Sequence, residues 1–221
     1  MDQATGKVVA AGDRLSALPD ALLHSIMSLL TARQAVQTCV LSPRWRDLWR
    51  TTPCLDIDHR EFEVAAGAAA GGGGVASRVS PDPDQETWGK VEDFTANLLM
   101  YHRAPVLDRF RLRVGSRFRE LDVERWVRRA ITCRPAVLEV AMASDYFSSL
   151  LLLDIDFQLT LPPLGRACRL KRLHLCGVLL DGGFAASLRS GCPVLEDLEL
   201  KNCNCLFQEI VSICHPEEPG H

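Results

Sequence analysis

Cysteine and histidine side chains near the C-terminal end have the clearest potential for chemistry, because thiolate and imidazole are preferred zinc ligands. Five such residues lie within a short span: Cys192, Cys203, Cys205, Cys214 and His215. Zinc sites usually use paired ligands that are roughly two to four residues apart. Here a single residue separates Cys203 from Cys205, and no second pair follows. The spacing favours small core residues over a metal site, and we predict neither metal nor cofactor.

The cysteine content predicts the cellular compartment of the protein, and its net charge limits the kinds of partner that it binds. Its nine cysteines are odd in number and no secretory signal precedes them, so we expect reduced thiols in the nucleus, the cytoplasm or both. The formal net charge of -3 gives no general attraction to nucleic acid or anionic membranes. No apolar run reaches the roughly 18 residues of a membrane span. We therefore predict partners that are neither nucleic acid nor membrane.

No catalytic motif is evident in the sequence. The four glycines at 71–74 lack the Lys-Ser/Thr pattern of a phosphate-binding loop, so residues 65–84 are interpreted as a surface linker rich in Ala, Gly and Pro. His174 is not surrounded by the residues of a catalytic triad, and we interpret it as an exposed strand residue. We predict that the chain is not an enzyme.

Arginine is concentrated in one region. Ten arginines and four acidic residues lie between positions 103 and 134, in a chain that is acidic overall. Arginine pairs bidentately with carboxylate and phosphate, so one hypothesis is that the strand bearing Arg109, Arg111 and Arg113 binds an acidic or phosphorylated target segment. The alternative is that these side chains are only the solvated side of a half-buried strand.

Residues 14–54 carry more apolar surface than two or three short helices can bury. One stripe recurs at helical spacing and comprises Leu15, Leu18, Leu22, Ile26, Leu29 and Leu30. Leu23 and Met27 lie off its centre and are expected to meet later helices. A unit of about 40 residues is near the size below which a domain needs a metal, disulfides or a second chain. The excess apolar surface therefore predicts a protein partner.

Capping signals place the ends of these helices. Pro19 suits a first helical position, with Asp20 in the first turn. Thr31 and Gln34 have the spacing of a capping box for a second helix, and Ser42 is a predicted N-cap for a third that would carry Trp45 and Leu48 on one side.

Two phrases in this region carry a family resemblance. Residues 18–30 read Leu-Pro-Asp-x-Leu-Leu-x-x-Ile-x-x-x-Leu, and residues 40–49 read Val-Leu-Ser-x-Arg-Trp-Arg-x-Leu-Trp. Together they resemble an F-box of the form seen in plant F-box proteins with leucine-rich repeats. The resemblance implies that the segment docks on the Skp-type adaptor of a cullin-based ubiquitin ligase while the rest of the chain holds a target protein. The implied docking residues are Leu18, Pro19, Leu22, Ile26, Leu29, Leu30, Val40 and Trp45.

A repeated Leu-x-x-Leu-x-Leu pattern follows the linker. Copies are predicted to begin at Leu107, Val137, Leu170 and Leu195, with helices over 86–102, near Val123 to Ile131 and near Phe184 to Leu188. Residues 151–161 alternate apolar and polar side chains and predict an additional strand. Side chains between the inward leucines should form an exposed face, because successive residues of a strand point to opposite sides. On it the candidate target-binding residues are Arg109, Arg111, Arg113, Arg172, His174 and Glu199.

These observations predict an α+β to α/β chain with a helical F-box followed by a short, irregular leucine-rich-repeat solenoid. The expected divisions are a flexible tail at 1–13, the F-box at 14–54, an extended exit and linker at 55–86, repeats at 87–206 and a C-terminal tail at 207–221. The resemblance implies a substrate-recognition adaptor of a Skp-cullin-F-box ligase. The alternative is a truncated or non-ligase repeat protein that binds the adaptor without delivering a target.

Overall fold

Two short helices form the first part of the chain in the computed structural model, which describes residues 17–63, 83–115, 118–142 and 169–205. Helix α1 spans Asp20–Met27 and helix α2 spans Ala32–Gln37. The capping box predicted for α2 is confirmed, because Thr31 accepts from the Gln34 amide and the Gln34 side chain accepts from the Thr31 amide. The predicted tails at 1–13 and 207–221, most of the predicted linker and the predicted strand at 151–161 lie outside the described residues.

The predicted third helix is wrong. A short 3₁₀ helix at Thr38–Val40 is followed by turns and a second 3₁₀ helix at Leu48–Thr51. The Trp45 amide donates to Ser42 O at 3.1 Å and the Leu48 amide donates to Trp45 O at 3.3 Å, both over three residues. These tight turns direct Trp45 and Leu48 into one cluster with Leu23 and Met27, so tertiary burial overrides the helical spacing.

Five parallel strands then form one sheet in chain order. They are β1 (Cys54–Asp58), β2 (Arg109–Val114), β3 (Val137–Met142), β4 (Arg172–Cys176) and β6 (Asp197–Lys201). A smaller parallel pair joins β5 (Leu179–Leu180) to β7 (Asn204–Cys205). The predicted extended exit after the helices is therefore the first strand of the main sheet.

Three helices lie in the connections between these strands. Helix α3 (Pro83–Tyr101) precedes β2, α4 (Glu120–Thr132) precedes β3 and α5 (Phe184–Gly191) precedes β6. Their apolar sides share one core with the inward side chains of the strands, and the Trp88 and Trp126 rings lie 5.4 Å apart between α3 and α4. These helices do not cover the opposite side of the sheet, where side chains range from buried, as for Asp58, to exposed, as for Arg109. None of the described helices is long and apolar enough to cross a membrane.

Strand register corrects the predicted repeat pattern. Phe110 pairs with Leu138 and Leu112 pairs with Val140, so the second copy lies two residues earlier than the predicted Val137, Val140 and Met142. A shift of two residues keeps the same side of the strand buried, and the predicted inward residues Val140 and Met142 are buried. The register also adds an unpredicted copy in β1, where Leu55 and Ile57 align with Phe110 and Leu112.

Candidate interaction surfaces

The helical N-terminal part has a small core of its own. Leu23 and Met27 are completely buried, and Trp45 and Leu48 pack on them. Leu22 and Ile26 lie one position away on α1 and therefore point elsewhere. The Arg44 guanidinium donates to Asp20 at 2.7 Å, which joins the turn after α2 to the start of α1. This hydrogen bond also holds the pKa of Asp20 below its usual range.

Around that core, several large apolar side chains remain exposed, and we call them the exposed apolar set. Its members are Leu22 (52% exposed), Ile26 (37%), Leu29 (86%), Val40 (83%) and Leu41 (57%). Pro19 is also exposed, whereas Leu18 and Leu30 are half-buried. A single exposed leucine or valine is common in proteins, whereas here five such residues lie within about 20 positions of the chain.

Two residues depart from the predicted docking surface. Trp45 is only 3% exposed, so it belongs to the internal core and not to the exposed surface that the resemblance implies for it. Its large ring fills the space between α1 and the turns, which a helical pattern cannot reveal. Leu41, which stands beside Val40 in the phrase that carries the resemblance, is exposed although it was not among the implied docking residues.

The exposed side of the sheet is ordered into three rows that run across the strands. The first row contains Cys54, Arg109, Val137, Arg172 and Asp197. The second contains Asp56, Arg111, Glu139, His174 and Glu199, and the third contains Asp58, Arg113, Ala141, Cys176 and Lys201. All six candidate target-binding residues therefore lie on one face.

In the second row, charges of opposite sign neutralise one another. Arg111 donates to Glu139 on one neighbouring strand at 2.5 Å and to Asp56 on the other at 3.2 Å. Burial, the largest single influence, raises the pKa of Glu139, but the hydrogen bond from Arg111 and the charges of Arg111, His174 and Arg109 together outweigh it, and the pKa is lowered. Any ligand of Arg111 would have to compete with two carboxylates that are already in place.

Arg113 in the third row is similarly occupied. It donates to Asp58 at 2.7 Å, and Asp58 also accepts from the backbone amide and side chain of Arg60. Burial opposes ionisation of Asp58, yet these hydrogen bonds together lower its pKa. Arg111 and Arg113 are thus part of a lattice of ion pairs that joins β1, β2 and β3.

His174 and Glu199 extend the polar surface toward β6. His174 Nε2 lies 2.9 Å from Asp197 and its Nδ1 lies 3.6 Å from Glu199, while Lys201 contacts Glu199 at 2.5 Å. In contrast, Arg109 and Arg172 are exposed and form no ion pair with any residue that the structure describes.

Metal-binding groups do not assemble in the described part of the chain. Within those residues, no cluster of three or more His, Cys, Asp and Glu side chains has a metal-binding arrangement. Cys192 is buried, and Cys203 Sγ lies 3.5 Å from Leu175 O. Cys214 and His215, which belonged to the candidate group, lie outside the described residues.

Comparison with known proteins identifies the helical N-terminal part of the chain. Residues 15–56 match the model of the F-box domain. This segment is an F-box. The chain is 33% identical over 204 residues to a meiotic F-box protein of Oryza sativa subsp. japonica, covering 90% of this chain and 39% of that protein. It is 31% identical over 210 residues to an F-box/FBD/LRR-repeat protein of Arabidopsis thaliana, covering 87% and 42%.

A putative FBD-associated F-box protein of Arabidopsis thaliana is 30% identical over 193 residues, covering 86% of this chain and 39% of that protein. The resemblance to plant F-box proteins with leucine-rich repeats is thereby confirmed. The chain spans about two fifths of the length of these relatives. No solved structure matches the chain.

Proposed function

We propose that the chain is a substrate-recognition adaptor of a Skp-cullin-F-box ubiquitin ligase, with no active site of its own. The observation that carries the proposal is the exposed apolar set of the F-box. Because Leu23, Met27, Trp45 and Leu48 already fill the internal core, Leu22 and Ile26 remain available for a Skp-type adaptor. The ligase would then act through proximity, since the adaptor holds a target beside catalytic subunits.

The sheet and its helices are interpreted as irregular leucine-rich repeats. Parallel strands in chain order support this interpretation, as do apolar side chains in register, such as Leu173 with Leu198 and Leu175 with Leu200. In repeat proteins of this kind, each strand and its connection stack on the preceding unit. We propose that a target protein binds the exposed side of the sheet, where the six candidate residues lie.

Contacts between the F-box and the sheet support a fixed orientation of the target. Thr31 Oγ1 donates to Glu61 at 2.8 Å, and the Arg33 guanidinium lies 4.7 Å from the centroid of the Phe62 ring. The Arg103 amide donates to Arg50 O at 2.7 Å, which connects the residues after α3 to the F-box. A rigid connection would present each bound target to the ligase in one direction.

Adaptor binding tests the proposal directly. Replacing both Leu22 and Ile26 by alanine should weaken binding to a purified plant Skp-type adaptor by about 2 kcal/mol, because each truncation removes exposed apolar surface from the interface. Isothermal titration calorimetry would give the dissociation constant. Leu121→Ala is a matched control, since Leu121 is 73% exposed on α4, outside the F-box.

Adaptor binding that survives the double substitution unchanged would contradict the assignment. Thermal unfolding of each variant establishes that the loss is local. If the wild-type chain binds the adaptor but no target becomes ubiquitinated in a reconstituted ligase, the alternative of an adaptor-binding protein that delivers no target would replace the ligase proposal.

A further inference from the structure

The end of helix α3 meets the F-box at a surface that is rich in arginine. The Arg103 amide donates to Arg50 O at 2.7 Å, and His102 Nε2 lies 2.9 Å from Thr52 O. Burial lowers the pKa of His102 and the charge of Arg129 lowers it further, so Arg129 lies close to that ring. Residues of the F-box, of the loop after α3 and of α4 therefore meet at one place.

The turn after α4 adds another arginine to this surface. The Leu107 amide donates to Cys133 O at 2.9 Å, which holds the turn beside the loop that follows α3. Arg134 comes directly after Cys133. We call Arg103, Arg129 and Arg134 the junction arginines. All of them are exposed, and none forms an ion pair with another side chain in the described ranges.

Exposed apolar side chains lie beside the junction arginines. In the last turn of α3, Met100 is 64% exposed and Tyr101 is 47% exposed. The guanidinium of Arg50 lies 5.7 Å from the centroid of the Tyr101 ring, which places this ring at the boundary with the F-box. Tyrosine, methionine and arginine are enriched in protein–protein interfaces. The composition of this surface is therefore that of a protein-binding site.

The charges around the junction favour an acidic peptide over a nucleic acid. Asp47 contacts Arg50 at 3.1 Å and Asp108 contacts Arg169 at 3.6 Å, so neither neutralises the junction arginines. A nucleic-acid backbone carries a charge at every phosphate and would be repelled by both aspartates. A peptide can place carboxylates beside the arginines alone and an apolar side chain beside Tyr101.

We propose that the junction arginines and Tyr101 form a docking surface for an acidic segment of a partner protein. Carboxylates of the segment pair with the guanidinium groups, and an apolar side chain of the segment packs on the Tyr101 ring. The inference does not depend on the proposed function, because the surface includes neither the exposed apolar set of the F-box nor the three rows of the sheet. A cluster of like charge would also steer the approach of an oppositely charged partner.

A peptide titration on the full chain tests the inference. The first probe is the acetylated, amidated heptapeptide Glu-Asp-Glu-Leu-Glu-Asp-Glu. The second replaces every carboxylate by the corresponding amide, and the third replaces leucine by glycine. Nuclear magnetic resonance follows binding through the arginine Nε–H signals.

The acidic peptide should shift the signals of the three junction arginines in a saturable way, and the amide peptide should give no saturable shift. The glycine peptide should bind about threefold more weakly, because it lacks the apolar contact with Tyr101. Tyr101→Ala should weaken binding of the leucine peptide by the same factor and leave binding of the glycine peptide unchanged.

Two triple variants separate a specific surface from general charge attraction. Arg103→Gln/Arg129→Gln/Arg134→Gln should weaken binding of the acidic peptide about tenfold, since three exposed ion pairs of modest strength are lost together. Arg125→Gln/Arg128→Gln/Arg189→Gln removes the same charge from exposed positions on α4 and α5 and should leave binding unchanged. Thermal unfolding of each variant establishes that it remains folded.

Equal losses of affinity in the two triple variants would overturn the inference, as would undiminished binding by the variant that lacks the junction arginines. A seven-nucleotide oligothymidylate that binds more tightly than the acidic peptide would also overturn it, because the surface would then prefer a nucleic acid. Equal effects of Tyr101→Ala on the leucine and glycine peptides would remove Tyr101 from the docking surface.

Discussion

At the scale of single residues, the protonation of a side chain depends on how deeply it is buried and on its hydrogen-bond partner. His102 follows α3, is buried, and has Nε2 2.9 Å from Thr52 O. Burial lowers the pKa of His102, the Thr52 hydrogen bond acts in the opposite direction, and the nearby Arg129 lowers it further. A neutral imidazole that donates Nε2–H to Thr52 is the form that this environment stabilises.

His102 should therefore make stability depend on pH. Since its folded-state pKa is lower than the unfolded value of about 6.5, the unfolded chain binds the proton more readily. The contribution of neutral His102 to the free energy of unfolding should be complete above about pH 6.5. It should be lost as the pH falls through the lowered pKa of the folded state. Urea denaturation of the wild-type chain and His102→Gln between pH 5 and 8 measures this.

The substitution should flatten the decline at acidic pH, since glutamine retains a donor but does not titrate. Comparing the two chains at each pH cancels the contribution of the other five histidines. Parallel pH profiles of the two chains would show that His102 is not the responsible group.

Among the secondary-structure elements, strands of similar sequence differ in how completely their equivalent side chains are buried. Leu173 in β4 and Leu198 in β6 pair in register and both begin a Leu-x-Leu phrase. Leu173 is completely buried, whereas Leu198 is half-buried because β6 is the last strand of the described sheet. Equivalent positions in the sequence pattern therefore contribute unequally to the free energy of unfolding.

Alanine substitution should reveal this difference. Leu173→Ala should cost roughly 2–5 kcal/mol, as for other fully buried leucines, because it loses apolar contacts and leaves a cavity. Leu198→Ala should cost less than half as much, since part of its side chain already faces water. Urea denaturation of both variants measures the two losses, and equal losses would mean that β6 is covered as completely as β4.

For the whole molecule, the F-box and the sheet share a core. Ala32 of α2 belongs to the main cluster, and Val36 and Trp49 pack against it. The ring of Phe62, just after β1, packs in a tilted arrangement 5.3 Å from that of Phe94 of α3, and it also contacts Arg33 of α2. These contacts predict that the two parts unfold together and not as separate domains.

Tryptophan fluorescence can test this cooperativity. Of the four tryptophans, Trp45 and Trp49 lie in the F-box, and Trp88 and Trp126 lie on the helices that cover the sheet. In a Trp88→Phe/Trp126→Phe chain, fluorescence reports on the F-box, while circular dichroism reports on all elements. The two midpoints in urea should coincide, and adding Phe62→Ala should lower both equally. An F-box transition at a different urea concentration would contradict a shared core.

Local signals allowed much of the fold to be predicted. The capping box at Thr31 and the apolar spacing in α3 depend on neighbouring residues, which the sequence displays directly. The third predicted helix was wrong because Trp45 and Leu48 are ordered by contacts with α1, far away in sequence. The docking residues implied by the resemblance remain a prediction, although Trp45 is not on the exposed surface.

The sequence by itself predicted an F-box at 14–54, and the model of that domain matches residues 15–56. It also predicted that apolar residues recur in the strands that follow, because both features depend on spacing along the chain. Tertiary structure alone decided the register of β3, that β1 joins the sheet, and that Arg111 and Arg113 form ion pairs with carboxylates of neighbouring strands. The reason is physical: strand register brings together charges up to 55 residues apart, and no local pattern records those distances.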